Sequence, residues 1–308
     1  MGNGGGTVIN GIMNIYKEAG FTSHDVVAKL RGIVKQKKIG HTGTLDPDAV
    51  GVLPVCFGNA TKLCDLMTDK SKEYEACMKL GVTTDTQDLS GRILTESDVN
   101  VSVTDVEAAI MSFVGGYEQI PPMYSALKVN GKKLYELARE GKEIERQSRH
   151  VDIPSIRILE ISLPEVRFVV SCSKGTYIRA LCADIGEKLG CGAAMASLVR
   201  TRVGSFKIED AITLSEVEEL VASNAYENYV MAPDSIFMEY AGAIVKPEAQ
   251  SALLNGNKLY PRQLVLDDHV SFKDHDMLRV YSCNGEFKAV YAFVKNEGVF
   301  KPFKMFLG

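Results

Sequence analysis

The stretch 165–189 constrains the fold most, because two different hydrophobic periods follow one another in it without a gap. Between residues 165 and 172 every second side chain is apolar, which is the pattern of a strand with one buried face. From 178 to 189 the apolar residues recur at helical spacing, after a Lys-Gly pair that favours a tight turn. The sequence therefore predicts a strand, a turn and a helix, with Tyr177 and Arg179 in the first helical turn.

The same two periods recur along the rest of the chain. A helix is predicted with Ser23 as its N-cap, and a half-buried strand is predicted at 73–81. Thr104 and Glu107 have the spacing of a capping box ahead of another helix, and a further helical pattern covers 214–221. Since strands and helices mix without a regular βαβ repeat, the predicted class is α+β, with a mixed, mainly antiparallel central sheet and flanking helices.

The patterning changes near residue 240, which indicates a domain boundary. Beyond it, short strand-like runs dominate and two Asn-Gly pairs provide turn signals. We therefore predict a large domain over 1–240 and a small β-rich domain over 241–308. Residues 1–7 are Gly-rich and carry no core pattern, so they are not assigned to the predicted core.

Composition places the chain among ordinary globular proteins, and we expect it in the cytosol. Its 308 residues are 45% hydrophobic, and no apolar run approaches the roughly 20 residues of a membrane span. The N-terminus has neither the basic nor the apolar region of a secretory signal. The seven cysteines are odd in number and lack Cys-x-x-Cys spacing, so we predict reduced core thiols and favour them over a structural zinc site.

Charge limits how the chain would hold a nucleic acid. The net charge of −4 does not favour nucleic-acid binding by the molecule as a whole, so such a partner must rely on local basic patches. One patch is the segment 128–149, which has seven basic residues against four acidic ones. Taken alone, this segment is more typical of a solvated helical face.

The densest chemical signal is the run Lys-Ile-Gly-His-Thr-Gly-Thr-Leu-Asp-Pro at 38–47. Its glycines and threonines predict a non-repetitive loop, and Pro47 disfavours helical dihedrals at Asp46, so the carboxylate would point in a fixed direction. An ordinary Asp-Pro turn, in which Asp46 caps its own backbone, remains an alternative on spacing alone. A phosphate-binding loop fits less well, because no Gly-Lys-Ser/Thr follows.

This run resembles the catalytic signature of the bacterial B-type tRNA pseudouridine synthases, the TruB family. Four further blocks of that family agree in order, and they occur at 20–27, 72–86, 121–128 and 174–179. The resemblance covers residues 10–205 strongly and the remainder weakly. One departure is that the family usually has Lys-Pro near the first block, whereas here Lys17 is followed by Glu18, which leaves the rigidity of that turn open.

The resemblance implies a pseudouridine synthase fold and an isomerase that acts on uridine 55 in the TΨC loop of tRNA. The reaction neither gains nor loses atoms, so no cofactor or metal is expected. The implied nucleophile is Asp46, with Arg179 as its ion-pair partner, and Tyr74 would stack on the flipped uracil and move a proton. Attack on the base, attack on the sugar and removal of a sugar proton all stay open. By residue type alone, Arg179 belongs to a helix surface and Tyr74 to the core.

Further substrate contacts follow from the same resemblance. Tyr177 is placed against the base, Leu198 forms an apolar wall of the pocket, and His41 helps to hold the target nucleotide out. Lys17 and Asp88 are assigned to substrate binding, and Asp88 would position basic residues or ribose hydroxyls. Without the resemblance, Leu198 is a packing residue, His41 a plain loop residue and Asp88 part of an ordinary turn.

The basic segment gains a role from the resemblance, because stand-alone members of this group carry a thumb-like insertion there, at about 124–150. Closing such a thumb over the RNA would offset the cost of unstacking a base. Its candidate RNA contacts are Lys128, Lys132, Lys133 and Arg139. We therefore expect direct recognition of the tRNA T stem-loop without a guide RNA, by a monomer.

The β-rich domain at the end of the chain resembles a degenerate PUA-type RNA-binding module. Such a module would reach toward the acceptor stem. Its basic residues would face RNA or form a plain surface, and they are Lys288, Lys295, Lys301 and Lys304.

Two functions of other classes remain open at this point. One is an RNA-binding or RNA-folding protein of the same fold without turnover. The other is a carboxylate hydrolase that combines Asp46 with a second acid, Asp48 or Asp85. The first predicts RNA binding without chemistry, and the second predicts free uracil or cleaved RNA.

Overall fold

The structure is a computed structural model that describes residues 8–129, 131–266 and 271–307. The Gly-rich start of the chain, for which the sequence shows no core pattern, lies outside the described residues. Among the residues that are described, no helix is both long and apolar enough to cross a membrane.

Within these ranges the chain forms seven α-helices and nineteen β-strands. The helices are α1 (Ser23–Val34), α2 (Cys64–Thr68), α3 (Val103–Met111), α4 (Leu134–Arg139), α5 (Ile178–Leu189), α6 (Leu214–Ala222) and α7 (Gln250–Leu254). The strands are β1 (Gly11–Lys17), β2 (Ile39–His41), β3 (Val50–Phe57), β4 (Lys72–Leu80), β5 (Val82–Thr84), β6 (Ile93–Glu96), β7 (Gly115–Gln119), β8 (Lys128–Val129), β9 (Lys132–Lys133), β10 (Arg149–Ile153), β11 (Ser155–Ser162), β12 (Glu165–Cys172), β13 (Ala193–Val203), β14 (Phe206–Lys207), β15 (Ala241–Val245), β16 (Leu264–Val265), β17 (Met277–Tyr281), β18 (Phe287–Val294) and β19 (Val299–Met305).

The large central sheet joins strands from distant parts of the chain. Its order is β1-β3-β13-β4-β12-β11, with β2 paired to β3 and β14 paired to β13. Neighbours run antiparallel except β13 and β3, which are parallel where Arg200 lies opposite Gly51. Helices α3 and α5 bury their apolar faces in one core with β4 and β12, while α1 and α6 pack against β1 and β3. The predicted α+β class with a mixed, mainly antiparallel sheet is confirmed.

The strand–turn–helix prediction is also confirmed, because β12 and α5 have the bounds that the two hydrophobic periods indicate. The placement of Tyr177 in the first helical turn is wrong by one residue, because Tyr177 is the N-cap and has extended dihedrals, whereas Arg179 does lie in that turn. The predicted N-cap of α1 is wrong by one residue. Thr22 closes a capping box with Asp25, so Ser23 is the first helical residue and its hydroxyl is available elsewhere.

The predicted start of α3 is wrong by two residues. Its capping box joins Ser102 and Asp105, whose spacing equals that of Thr104 and Glu107. The Asp105 N–H donates to Ser102 Oγ at 3.1 Å, and the Ser102 N–H donates back to the Asp105 carboxylate at 3.2 Å. Both pairs satisfy the sequence rule, so the local pattern alone does not choose between them.

A five-stranded sheet of order β16-β15-β17-β18-β19 forms the β-rich end of the chain and has its own apolar core. Of the two Asn-Gly pairs, the one at 284–285 joins β17 to β18, whereas Asn255 ends α7 and joins no hairpin. An aromatic cluster that includes Phe237, Phe287 and Phe306 packs this sheet against the central one.

The cysteines are reduced thiols in the described residues, as the odd count suggests. Six are buried or half-buried, but Cys283 is exposed, so the prediction of a core position is wrong for that residue. It lies in the turn between β17 and β18, where the chain leaves the core. Among the described residues, no His, Cys, Asp and Glu side chains form a group of three or more suited to a metal ion.

Candidate active site

Asp46 lies in the loop between β2 and β3, and its carboxylate faces a guanidinium from a distant part of the chain. Arg179 Nε is 2.9 Å from Asp46 Oδ2, and Arg179 Nη2 donates to Asp46 Oδ1 at 3.4 Å. The Asp46 side chain keeps 44% of its surface exposed, whereas the Arg179 side chain keeps 6%. The hydrogen bonds of the described residues thus direct the Asp46 carboxylate to Arg179 rather than to its own turn, and part of it faces solvent.

Arg179 is held by more than Asp46. Its Nη1 donates to the Thr86 carbonyl at 2.8 Å, and its Nη2 donates to the Tyr124 carbonyl at 3.0 Å. The Asp88 carboxylate lies 3.6 Å from Nη1. These partners fix the plane of the guanidinium, and that plane presents Nε and Nη2 to Asp46. Asp88 therefore lies against a basic side chain, and its contact with a substrate ribose stays a prediction.

Lys17 lies behind the loop that carries Asp46. Its side chain is fully buried, and its ammonium donates to the carbonyls of Pro47 at 2.9 Å, Ala49 at 2.6 Å and Glu18 at 3.1 Å. Burial lowers the pKa of Lys17 to about 8. The structure therefore corrects the assignment of Lys17 to substrate binding, since all three donors hold backbone. The turn at Glu18 lacks proline, but the Lys17 ammonium holds it to the Asp46 loop by hydrogen bonds to the carbonyls of Glu18 and Pro47.

Ser23 holds the same loop from the first turn of α1. Its hydroxyl accepts a hydrogen bond from the Leu45 N–H at 2.9 Å. Leu45 is itself buried in the core beneath α5. The residue directly before Asp46 is therefore fixed both by its backbone and by its side chain.

Arg200, which the sequence analysis does not single out, is a second buried cation behind the loop. It is 1% exposed, and its Nε donates to the Val52 carbonyl at 2.7 Å. Its Nη2 and Nη1 donate to the carbonyls of Gly43 and Thr44 at 3.3 and 3.4 Å. Gly51 lets the strands approach, because its φ is +105° and a Cβ there would lie 2.3 Å from the Arg200 carbonyl oxygen. The available sequence signal was weak, because β13 carries two arginines, Arg200 and Arg202, and the sequence does not show which of them is buried.

Tyr74 and Leu198 lie on the neighbouring strands β4 and β13. Both are 8% exposed and belong to the same apolar cluster as Leu45. Tyr74 is the register partner of Arg200. Burial raises the pKa of the Tyr74 hydroxyl, while the charge and hydrogen bond of Arg200 act in the opposite direction. Tyr74 is thus a protonated phenol that has a guanidinium beside it, and its stacking role and the wall role of Leu198 stay predictions.

His41 and Tyr177 stand at the end of β2 and at the start of α5. His41 Nδ1 accepts a hydrogen bond from the Gly43 N–H at 3.3 Å, and burial lowers the pKa of His41 to about 4. The imidazole is therefore neutral near pH 7 with its proton on Nε2. Tyr177 is the N-cap of α5 and is half-buried, and burial raises its pKa. The contacts of both residues with RNA stay predictions.

Behind Tyr177 lies a chain of polar groups that the sequence analysis did not identify. The buried amide of Gln119 hydrogen-bonds to the Tyr177 backbone and to the Tyr117 hydroxyl. The Tyr117 hydroxyl donates to Asp184 at 3.3 Å, on the second turn of α5. Burial raises the pKa of Asp184 to about 6.

Asp184 supplies a prediction about stability. Because its folded pKa lies above the ordinary value of 3.8, the native state keeps a proton that the unfolded state loses between about pH 4 and pH 6. The stability that Asp184 supports at low pH is therefore lost as pH rises through about 6. Replacing Asp184 with Asn, which can still accept from Tyr117, should raise the free energy of unfolding by about 1 kcal/mol at pH 7.5, after discount for partial exposure. Urea unfolding at pH 7.5 and pH 4 measures this, and a gain of equal size at both values would contradict it.

The thumb has little regular structure, so the helical-face interpretation applies only to the six residues of α4. Two of its basic side chains lie over the ring of Tyr135. The Lys133 ammonium lies 5.3 Å and the Arg139 guanidinium 5.5 Å from the ring centroid. Lys132 forms an exposed ion pair at 3.6 Å, and Lys128 is exposed. An aromatic ring with cations on it suits contact with bases and phosphates.

Two family models match the chain in succession. The TruB family pseudouridylate synthase N-terminal domain matches residues 31–178, and the tRNA pseudouridylate synthase B C-terminal domain matches residues 179–238. The border between the two matches falls at the start of α5, inside the core of the central sheet. The β-rich end of the chain, from 241 onward, lies beyond both.

Whole-chain comparisons give the same result. A tRNA pseudouridine synthase B of Lachnoclostridium phytofermentans is 51% identical, covering 97% of this chain and 100% of its own length. One of Clostridioides difficile is 44% identical, covering 89% of this chain and 91% of its own. Two solved structures share the fold with a TM-score of 0.72. An H/ACA RNP bound to a substrate RNA is 26% identical over 97% of this chain and 85% of its own, and a Cbf5-Nop10-Gar1 complex is 28% identical over 96% and 85%.

The fold and these matches define the class of protein as a pseudouridine synthase, which is an isomerase. Within that class, the chain belongs to the TruB family. The family and the enzyme class that the sequence motifs imply are confirmed.

Proposed function

We propose that this enzyme isomerises uridine 55 in the TΨC loop of tRNA to pseudouridine, with the Asp46 carboxylate as nucleophile. The observation that supports this most is the Asp46–Arg179 pair, in which a half-exposed carboxylate meets a buried, fully engaged guanidinium. The relatives named tRNA pseudouridine synthase B support tRNA as the substrate.

The geometry suits an isomerisation. The N1–C1′ bond between uracil and ribose breaks, a C5–C1′ bond forms, and the proton lost at C5 is balanced by one gained at N1. The Asp46 carboxylate must be ionised to take part, and the cation beside it favours that form. Attack on the base and attack on the sugar both make Asp46 the nucleophile, whereas removal of a sugar proton makes it a base. The proposal covers all three routes, since each needs the same ionised carboxylate.

Tyr74 is proposed to stack on the flipped base and to carry the proton between carbon and nitrogen. Its phenol is protonated in the resting enzyme, because burial raises its pKa. The Arg200 guanidinium lowers that pKa and so would stabilise a transient phenolate. Tyr177, Leu198 and His41 complete the proposed pocket around the everted nucleotide.

The thumb is proposed to hold the T stem-loop directly, without a guide RNA. The cluster of Lys133, Tyr135 and Arg139 supports this, as do the exposed Lys128 and Lys132. We further propose that the enzyme acts as a monomer in the cytosol, where tRNA substrates occur.

We propose that residues 241–308 form a PUA-like RNA-binding domain that extends the contact toward the acceptor stem. Ion pairs occupy three of its four basic candidates, since Lys288, Lys301 and Lys304 lie within 2.8 Å of Glu286, Glu297 and Asp65. These three therefore contribute less to an RNA-binding surface than the sequence suggests. Lys295 stays a candidate contact.

Salt dependence tests the proposed thumb. If phosphate contacts hold the complex, the affinity for tRNA should fall steeply as salt rises. Replacing Lys132, Lys133 and Arg139 with Ala should reduce the slope of log K against log salt by about 2 to 3, from roughly 0.7 to 0.9 per lost contact. Filter binding of unmodified tRNA over a salt series measures the slope.

The matched control neutralises basic residues outside the thumb. Arg157 and Lys188 are exposed on β11 and α5. Replacing both with Ala should leave the slope unchanged. A thumb variant that keeps the parental slope would show that the thumb does not contact phosphates.

The whole proposal is tested by incubating the protein with an unmodified tRNA transcript and mapping pseudouridine at single-nucleotide resolution. The expected result is one new pseudouridine, at position 55, without added cofactor, metal or guide RNA. Modification at another position would contradict the assigned target, and release of free uracil or cleaved RNA would favour the hydrolase function. Binding without any modification would favour an RNA-folding protein.

A further inference from the structure

Gln119, the last residue of β7, has the contacts of a clamp. It is 1% exposed, its Oε1 accepts from the Tyr177 N–H at 2.8 Å, and its Nε2 donates to the Tyr177 carbonyl at 3.0 Å. An amide that faces one donor and one acceptor of the same residue has only one favourable orientation. The backbone of Tyr177 is therefore fixed on both sides.

The clamp acts where α5 begins. Tyr177 is the N-cap of this helix but supplies no side-chain capping bond. The first N–H groups of a helix have no partner within the helix, so groups outside it decide where and in which direction the helix starts. Arg179 follows two residues later, and a rigid helix turn transmits a rotation at Tyr177 directly to its guanidinium.

The residues that follow Gln119 contact Arg179 directly and then continue into the thumb. Five residues after Gln119, the Tyr124 carbonyl accepts from Arg179 Nη2 at 3.0 Å. The next carbonyl, of Ser125, accepts from the N–H of Tyr135 in α4 at 3.1 Å. The segment 119–125 is thus attached to α5 on one side and to the thumb on the other.

We propose that Gln119 is a positioning residue of the isomerisation, which acts on Asp46 through Tyr177 and Arg179. Its amide holds the start of α5 so that the guanidinium stays in line with the Asp46 carboxylate. Gln119 also lies beside the thumb, since its strand position is opposite Arg149 at the end of that insertion. This inference rests on the proposed function, in which the Asp46–Arg179 pair carries the chemistry.

The test replaces Gln119 with Leu, which has a similar length but can neither donate nor accept. We expect the single-turnover rate constant at saturating enzyme to fall at least about tenfold, because small displacements of a reacting group cost one to two orders of magnitude. The dissociation constant for tRNA, measured in an Asp46→Ala background so that no turnover occurs, should change less than about threefold, or roughly 0.65 kcal/mol. A lower rate constant with an unchanged dissociation constant would show that Gln119 positions reacting groups and does not contribute to tRNA binding.

Gln36 offers a matched control, because it clamps another backbone in the same way. Its amide accepts from the Ile9 N–H and donates to the Ile9 carbonyl, both at 2.9 Å. Replacing Gln36 with Leu should lower the melting temperature without changing the single-turnover rate constant. Gln119→Leu should lower both, and the fraction of enzyme that binds tRNA, titrated with excess tRNA, should match that of the parent.

The outcomes separate this inference from the function on which it depends. If Asp46→Ala still makes pseudouridine, the proposed nucleophile is wrong, whatever Gln119 does. If Asp46→Ala is inactive but Gln119→Leu reacts at the parental rate, the inference about Gln119 alone is overturned. A smaller tRNA-binding fraction at an unchanged rate constant would also overturn it, since that result reports misfolding.

Discussion

Replacing Asp46 with Ala is expected to reduce the rate of pseudouridine formation by on the order of 10⁴-fold or more, the usual loss when a nucleophile is removed. The reason is chemical, because the other carboxylate that contacts Arg179 among the described residues, Asp88, lies 3.6 Å from Nη1 and is only 18% exposed, against 44% for Asp46. The fold should survive, since Arg179 keeps its contacts with the Thr86 and Tyr124 carbonyls and with Asp88. Single-turnover assays on unmodified tRNA measure the rate.

The affinity of this variant for tRNA should stay within about tenfold of the parent, or roughly 1.4 kcal/mol. Asp48, two residues away and exposed, provides the control. Asp48→Ala should react at nearly the parental rate under the proposed mechanism, whereas a hydrolase that uses Asp48 as its second acid would lose activity. An Asp46→Ala enzyme that still modifies tRNA would remove Asp46 from the chemistry.

Replacing Arg179 with Met should reduce the rate by about 10²- to 10³-fold, the typical effect of removing one charged or donor group from a reacting centre. The variant should also lose about 2 kcal/mol of folding free energy, because the carbonyls of Thr86 and Tyr124 each lose a buried donor. The rate and stability of Arg179→Lys should lie between those of the parent and those of Arg179→Met. A lysine keeps the positive charge but lacks the planar guanidinium that contacts Asp46 and both carbonyls.

The control for Arg179 is an arginine in an exposed ion pair. Arg167 on β12 pairs with Glu75, and its side chain is 51% exposed. Arg167→Met should change neither the activation free energy of the reaction nor the free energy of unfolding by more than about 0.5 kcal/mol. Comparable losses in the Arg167 and Arg179 variants would show that Arg179 has no special role.

The sequence identifies those site residues that lie inside a recognisable motif. Asp46 and Arg179 lie in two dense motifs, so the resemblance identifies both, and the structure brings them together across 133 positions of the chain. Lys17 was assigned to the wrong task, because a motif marks a residue as required without saying which way it points. Its burial behind the loop is a property of how β1 and β3 pair.

Arg200 and Gln119 were missed for a different reason. Each does its work through backbone carbonyls or N–H groups of distant residues, such as Gly43 and Tyr177. A backbone group has no sequence identity, so the partner of such a side chain leaves no pattern to recognise. Each of the two also has polar neighbours in its own strand, Glu118 beside Gln119 and Arg202 near Arg200, so residue type alone does not single it out.

The amino-acid sequence by itself determined where most of the helices and strands lie and, through its motifs, the family to which the chain belongs. Hydrophobic periods depend on neighbours three or four positions apart in a helix and two apart in a strand, which explains why β12 and α5 are correct to the residue. The tertiary structure alone decided that two buried cations, Lys17 and Arg200, hold the loop, how the guanidinium of Arg179 is oriented and which contacts join the thumb to α5. These are contacts between residues far apart in the chain, and they arise only when the central sheet brings β1, β3, β4 and β13 together.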